Sequence, residues 1–227
     1  EKWSGLLHWR LKSLWGSRMR GERSAIVLCS ALFAVLLAAF VAGWLSAPPS
    51  PQERLTRTAG GEMFAGGQVD ELTFINEYGD TVSLADLKGR WSLLFFGYTY
   101  CPDICPMTLM HMNRLMKRLS EDEREQLNVV LVSVDPERDR PEQLGQYMDY
   151  FNPDFTALTG NPDNMKKLAA QLNAFYAHVD REDGGYLMDH SANIVLLDSK
   201  LNYRGYIEPP HDPKRMLPVI RSLLALP

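Results

Sequence analysis

Two short, continuous apolar runs dominate the hydrophobic pattern of the chain. Residues 91–97 are apolar and aromatic and end at a glycine, and residues 128–134 are rich in β-branched side chains and end at Asp135-Pro136. Runs of this length with little polar alternation are typical of strands that are buried on both faces. They therefore predict two buried strands of one central sheet.

The remaining pattern alternates between strands and helices. It predicts further strands at 175–179, 193–197 and 202–207, and an N-terminal hairpin formed by 69–76 and 81–84 around a glycine turn. Helices are expected from near Pro106, from Pro141, from Pro162 with Asn161 as the cap, and from about 212 to 224. We therefore expect an α/β fold in which helices flank a central mixed sheet on both faces.

A long stretch without charge precedes this pattern. Residues 24–45 are uncharged and have about the length that spans a bilayer, and Trp44 lies where an aromatic anchor would meet the membrane surface. We predict one transmembrane helix here, with Cys29 as a small apolar residue inside it. A cleavable signal peptide is the alternative, although its apolar core would be shorter.

Charge is distributed unevenly on the two sides of this stretch. Residues 1–23 contain six basic and two acidic side chains, a net charge of +4, so the remainder must carry −8 to give the total of −4. By the positive-inside rule, 1–23 is a cytoplasmic basic segment and everything after residue 45 is exported. We expect a single pass through a bacterial-type inner membrane with the domain in the periplasm, or in the intermembrane space if the protein is mitochondrial.

The exported part is expected to divide into a linker and a folded domain. Residues 46–68 contain prolines and glycines and predict a linker, and residues 69–227 predict the domain. The acidic balance of the exported part argues against nucleic acid as a partner and is compatible with a protein partner.

Two cysteines, each followed by proline, lie where the strand at 91–97 gives way to a helix. Because proline suits the first helical position, we place the helix start near Pro106, with Cys105 at the cap and Cys101 on the preceding loop. The positive end of a helix dipole favours thiolate over thiol. The pair could bond to each other, share a soft metal ion, or be purely structural.

A third ligand has to be sought among five histidines. Four have simpler explanations: His8 precedes the apolar stretch, His111 is on a helix, His178 is in a strand, and His211 is in a loop expected to be exposed. His190 lies between a Gly-Gly turn and a predicted buried strand, where a loop could carry its ring to the cysteines. Placement alone leaves its role open.

Three motifs together resemble the Sco/SenC family of cytochrome c oxidase assembly proteins. They are Phe-Gly-Tyr-Thr-Tyr-Cys-Pro-Asp-Ile-Cys-Pro at 96–106, Val-Ser-Val-Asp-Pro-Glu-Arg-Asp at 132–139, and Asp-His-Ser-Ala at 189–192. The resemblance implies a thioredoxin-like fold, an N-terminal membrane anchor, and copper bound by Cys101, Cys105 and His190. Many relatives have histidine immediately before the first cysteine, where this chain has Tyr100.

The chemistry of the three side chains is compatible with this implication. Two soft thiolates select Cu(I), and an imidazole allows the site to hold Cu(II) as well. Zinc could use the same ligands with an added water. Asp135 is expected either to influence the site or to cap the loop 136–140, and we favour the cap.

Three functions stay open. The first is a membrane-anchored copper chaperone that delivers copper to a subunit of a haem–copper oxidase during assembly, with a periplasmic copper donor as a further partner. The second is a thiol–disulfide oxidoreductase that reduces the target's cysteines and draws on a thiol reductant. The third, a peroxide-reducing or redox signalling protein, has no supporting feature beyond the thiols. Cys-x-x-x-Cys is one residue longer than the Cys-x-x-Cys of common redox domains, so whether the chain is an enzyme stays open.

Overall fold

The computed structural model describes residues 28–46 and 49–226. The chain divides into two units, residues 1–48 and the part from Pro49 onwards, and each is described by itself. In the first unit, the helix α1 (Leu28–Leu45) has a mean hydropathy of 2.4 and no buried residue, and it is long and apolar enough to cross a membrane. The predicted cytoplasmic segment 1–23 and the start of the predicted anchor lie outside the described residues.

The second unit is built on a mixed eight-stranded sheet, with a separate two-stranded hairpin. Its strands, in chain order, are β1 (Glu62–Met63), β2 (Thr73–Asn76), β3 (Thr81–Ser83), β4 (Trp91–Gly97), β5 (Leu127–Ser133), β6 (Thr156–Thr159), β7 (Tyr176–Asp180), β8 (Tyr186–His190), β9 (Ile194–Leu197) and β10 (Tyr203–Ile207). The spatial order in the main sheet is β1-β10-β9-β4-β5-β6-β2-β3, and β7 pairs only with β8. Neighbours are parallel at β4–β5 and β5–β6 and antiparallel elsewhere.

The helices lie on both faces of this sheet. They are α2 (Pro51–Arg54), α3 (Ile104–Met116), α4 (Glu121–Glu125), α5 (Pro141–Phe151), α6 (Pro162–Gln171) and α7 (Pro213–Leu224). One core contains apolar residues of α3, α5 and α7, and the other contains those of α6. The prediction of a mixed sheet flanked by helices is confirmed.

The central strands alternate between these two cores, as the pleat of a strand requires. In β4, Leu93 and Phe95 belong to the core with α3, whereas Leu94 and Phe96 belong to the core with α6. Since both faces are covered, the strand reads in the sequence as one uninterrupted apolar run. This double burial fixes the position of the end of β4, and therefore of the start of the cysteine turn that follows it.

Residues 46–68 do not form the expected linker in the part that the structure describes. Ser50 caps α2 with its side chain, and a π-helical turn (Leu55–Ala59) follows directly. Leu55 is fully buried in the core that contains α7, and β1 pairs with β10. Prolines and glycines are typical of linkers, but in this segment the apolar side chains between them pack on the domain and hold the segment in place.

Candidate metal centre

The cysteine turn joins the end of β4 to the start of α3. The helix begins at Ile104, two residues earlier than the predicted start, and its first backbone bond runs from Met107 N to Asp103 O at 3.2 Å. Pro106 is thus the third helical residue. It is tolerated there because N–H groups of the first turn have no acceptor within the helix.

Cys105 is packed against the last residue of β4. A Cβ atom on Gly97 would lie 2.8 Å from the Cys105 Sγ and 2.9 Å from a Leu131 methyl group. Glycine at this position therefore allows the thiol to approach the strand end closely. Cys105 is 1% exposed and Cys101 is 8% exposed.

His190 is the last residue of β8, in the separate hairpin, rather than in a loop as predicted. Its backbone is paired with Tyr176 of β7. The ring Nε2 lies 3.4 Å from the Cys105 Sγ, and Nδ1 lies 3.1 Å from the carbonyl oxygen of Ser191. A carbonyl oxygen only accepts, so Nδ1–H donates to it and Nε2 presents its lone pair to the thiols.

The structure brings together the three side chains that the sequence selected. One ligand atom each from Cys101, Cys105 and His190 lie within 4.8 Å of one another, and within 28–46 and 49–226 this is the one such group formed by histidine, cysteine or acidic residues. His111 and His178 are outside it. Two thiols and one imidazole at this separation can hold a soft cation, and the two thiols alone can form a disulfide.

The two cysteines are electrostatically unequal. A hydrogen bond from the Cys105 thiol, helped by the backbone N–H groups of Asp103 and Cys105, holds the pKa of Cys101 well below its usual range. The same hydrogen bond and burial raise the pKa of Cys105. The Asp103 side chain makes no capping bond, and the Cys101 Sγ accepts from Cys105 N at 3.5 Å in its place. Cys101 is therefore the cysteine of the pair that loses its proton first as the pH rises.

A buried carboxylate, that of Asp139, holds the start of the cysteine turn. Asp139 is fully buried and accepts hydrogen bonds from the backbone N–H of Thr99 (3.0 Å), the Thr99 hydroxyl (2.6 Å) and the Ser133 hydroxyl (2.6 Å). Burial raises its pKa. Sequence reasoning missed this residue, although it lies inside the 132–139 motif. It ties the start of the cysteine turn to the end of β5.

Asp135 has a different role from the favoured cap. Its backbone carbonyl accepts from the N–H groups of Arg138 and Asp139, so the main chain closes this turn. Its buried carboxylate accepts from the Arg138 Nε and, at 2.8 Å, from the Tyr186 hydroxyl. Asp135 therefore connects this loop to the hairpin that carries His190.

His211 is buried, contrary to the expectation of an exposed loop. Only 2% of the residue is exposed, and its Nδ1 lies 3.2 Å from the Thr108 hydroxyl of α3. Burial lowers its pKa to about 4. Its run of flanking prolines suggested a surface loop, but the ring fills space between α3 and the start of α7.

Comparison with known proteins identifies relatives of most of the second unit. A family model described as SCO1/SenC matches residues 64–225. An SCO2-like protein of Rickettsia conorii is 34% identical over 154 residues, which is 67% of this chain and 75% of the relative.

Two solved structures share the fold. Arabidopsis thaliana ScoI with copper bound is 31% identical with a TM-score of 0.64, over 72% of this chain and 100% of that one. Bradyrhizobium japonicum ScoI with copper bound is 29% identical with a TM-score of 0.62, over 70% and 99% of the two chains. These matches confirm the expected thioredoxin-like fold, and the family model covers strands β2 to β10, including the histidine hairpin, and the cysteine turn. The chain belongs to the SCO1/SenC family.

Proposed function

We propose that this chain is a membrane-anchored copper chaperone that delivers copper to the copper-accepting subunit of a haem–copper oxidase. Cys101, Cys105 and His190 are the proposed ligands. The observation that carries the proposal is the convergence of their ligand atoms within 4.8 Å, from a turn and a hairpin far apart in the sequence. The copper-bound structures of two relatives support it.

The donor set suits a cargo that has to be released again. Two thiolates and one imidazole satisfy Cu(I) without a fourth ligand, and the imidazole also tolerates Cu(II). A three-coordinate ion has an open side through which an acceptor's ligand can enter before a ligand of this chain leaves. Zinc could occupy the same donors with an added water, so copper preference is part of what has to be tested.

The first unit supplies the proposed anchor. Helix α1 has the length and hydropathy of a membrane span, and the basic residues before it predict that the N-terminus stays in the cytoplasm. The copper domain would then face the periplasm, or the intermembrane space of a mitochondrion. This is the side of the membrane on which we place the copper donor and the accepting oxidase subunit.

A competition titration with a Cu(I)-specific chelator tests the ligand set. The reduced protein should bind one Cu(I), and His190→Ala should weaken binding at least tenfold. Mutating a residue that only hydrogen-bonds to a metal ligand already lowers metal affinity about 10- to 100-fold, so removing a ligand should cost at least as much. His111→Ala is the matched control, since that histidine lies outside the ligand group. Equal affinity of His190→Ala and wild type would remove His190 from the site.

A thiol–disulfide oxidoreductase is the second candidate, and the unequal cysteines favour it. The Cys101 thiolate would attack a disulfide of the target and form a mixed disulfide, and Cys105 would then displace the reduced target and leave a Cys101–Cys105 disulfide. A thiol reductant would restore the pair. Turnover on a model disulfide no faster than that of free dithiothreitol would leave only the chaperone.

A further inference from the structure

The hairpin that carries His190 is not paired with the main sheet and is held on the domain by side-chain contacts and hydrogen bonds. Strands β7 and β8 pair with each other and with no strand of the main sheet. A cavity of about 340 Å³ lies between the hairpin and the domain, lined in part by Met165 of α6 and Met188 of β8. The position of the His190 ring over the cysteines therefore depends on local contacts rather than on the main sheet.

One side chain bridges the cysteine turn and this hairpin. The Arg138 guanidinium carbon lies 3.6 Å from the ring centre of Tyr186, 4.8 Å from that of Tyr100 and 5.7 Å from that of Tyr98. Tyr186 is the first residue of β8, and Tyr98 and Tyr100 precede Cys101 in the turn. Separations below about 6 Å are those at which a guanidinium attracts an aromatic face.

Hydrogen bonds fix the orientation of this guanidinium. Arg138 Nε is paired with the carboxylate of Asp135, whose side chain is 2% exposed, and Nη1 donates to the Tyr186 carbonyl oxygen at 3.1 Å. Asp135 in turn accepts from the Tyr186 hydroxyl at 2.8 Å. Both ends of Tyr186, the main chain and the hydroxyl, are thus held by one ion pair, in which Asp135 is buried and Arg138 is partly buried.

The same group of rings reaches the proposed ligand. Tyr98 is 2% exposed, and its ring meets the His190 imidazole edge to face, with the centres 5.8 Å apart. Contacts therefore connect Arg138 to His190 by two routes, the backbone of β8 and the Tyr98 ring. It does not belong to the ligand group itself.

We propose that Arg138 is a positioning residue that holds the His190 imidazole over the two thiols and so sets the affinity for the soft cation. This inference rests on the proposed copper function. It requires the planar guanidinium, because stacking on Tyr186 while bonding Asp135 and a carbonyl uses a flat, forked donor that lysine lacks.

The test compares Arg138→Gln with Arg140→Gln in the Cu(I) competition titration. Arg140 is exposed in the same loop, and its side chain makes no hydrogen bond or ion pair to another described residue. Both substitutions remove one positive charge. Arg138→Gln should weaken Cu(I) binding about 10- to 100-fold, as for other residues that orient a ligand, and Arg140→Gln should bind like wild type. Equal affinities of the two variants would overturn the proposal.

A double-mutant cycle distinguishes positioning from a general loss of structure. In the His190→Ala background, adding Arg138→Gln should cause no further loss, because the ligand it positions is already gone. A full additional loss would show that Arg138 acts elsewhere. If His190→Ala alone had wild-type affinity, the proposed ligand set would fail instead, so the two failures differ.

Amide hydrogen exchange supplies a metal-free measurement. In Arg138→Gln, exchange of the β8 amides should accelerate while that of the buried strand β9 stays unchanged. Arg138→Lys keeps the charge and serves as the variant most similar to wild type. It should resemble Arg138→Gln in both measurements, and wild-type behaviour of the lysine variant would overturn the requirement for a planar group.

Discussion

At the scale of single residues, the proposed copper site combines three candidate ligands with two candidate supporting side chains, Asp139 and Arg138. Cys101 and Cys105 follow from the proline-flanked motif, and the resemblance selected His190 where placement alone did not. Asp139 and Arg138 act through contacts that are formed only in the folded chain, with Thr99 in one case and Tyr186 in the other. No local pattern reveals such contacts.

His211 provides a prediction of pH dependence at this scale. Its pKa of about 4 lies below the ordinary value of about 6.5, so the unfolded chain binds a proton first as the pH falls. This group's contribution to stability is present above pH 6.5 and is lost towards pH 4, by about 2 kcal/mol at pH 5. Urea unfolding of wild type and His211→Gln at pH 8 and pH 5 measures it.

The exposed His178 gives the matched control for that experiment. The loss of stability between pH 8 and pH 5 should be smaller in His211→Gln than in wild type, whereas His178→Gln should behave like wild type. If wild type and His211→Gln lost the same free energy of unfolding between pH 8 and pH 5, the buried His211 ring would be protonated at pH 5 in the folded state as well as in the unfolded chain.

At the scale of elements, the apolar pattern predicted the elements that are buried on both faces or capped by clear signals. Strands β4 and β5 lie close to the predicted ranges, and α6 begins at Pro162 behind Asn161. Strand β8 was missed because only part of its surface packs on the core, so its sequence shows no long apolar run. The segment before β1 was misread because its few buried side chains are separated by polar ones.

Leu55 tests whether that segment is part of the domain. Leu55→Ala should lower the free energy of unfolding by about 2–5 kcal/mol, the usual result of truncating a fully buried leucine. Thr56→Ala, at the exposed neighbouring position, should change it by less than about 0.5 kcal/mol. Urea unfolding at neutral pH measures both. Equal, small changes in the free energy of unfolding of the two variants would show that the segment is a linker.

At the scale of the whole molecule, the chain combines a long apolar helix with an α/β unit whose helices cover both faces of the sheet. The candidate ligands of this unit lie together near the end of β4. Double burial of β4 fixes the cysteine turn, whereas the histidine is carried by a hairpin outside that sheet. One rigid support and one separately attached support would let a site hold a cation firmly and still exchange it. The arrangement is compatible with the proposed copper chaperone, which has to release its cargo.

The copper K-edge X-ray absorption spectrum of the protein loaded with one Cu(I) tests the proposed ligand set most directly. Cys101, Cys105 and His190 as ligands predict two sulfur neighbours and one nitrogen neighbour, with the nitrogen contribution absent from His190→Ala and present in His111→Ala. A spectrum with only sulfur neighbours in wild type, unchanged by the His190 substitution, would contradict it.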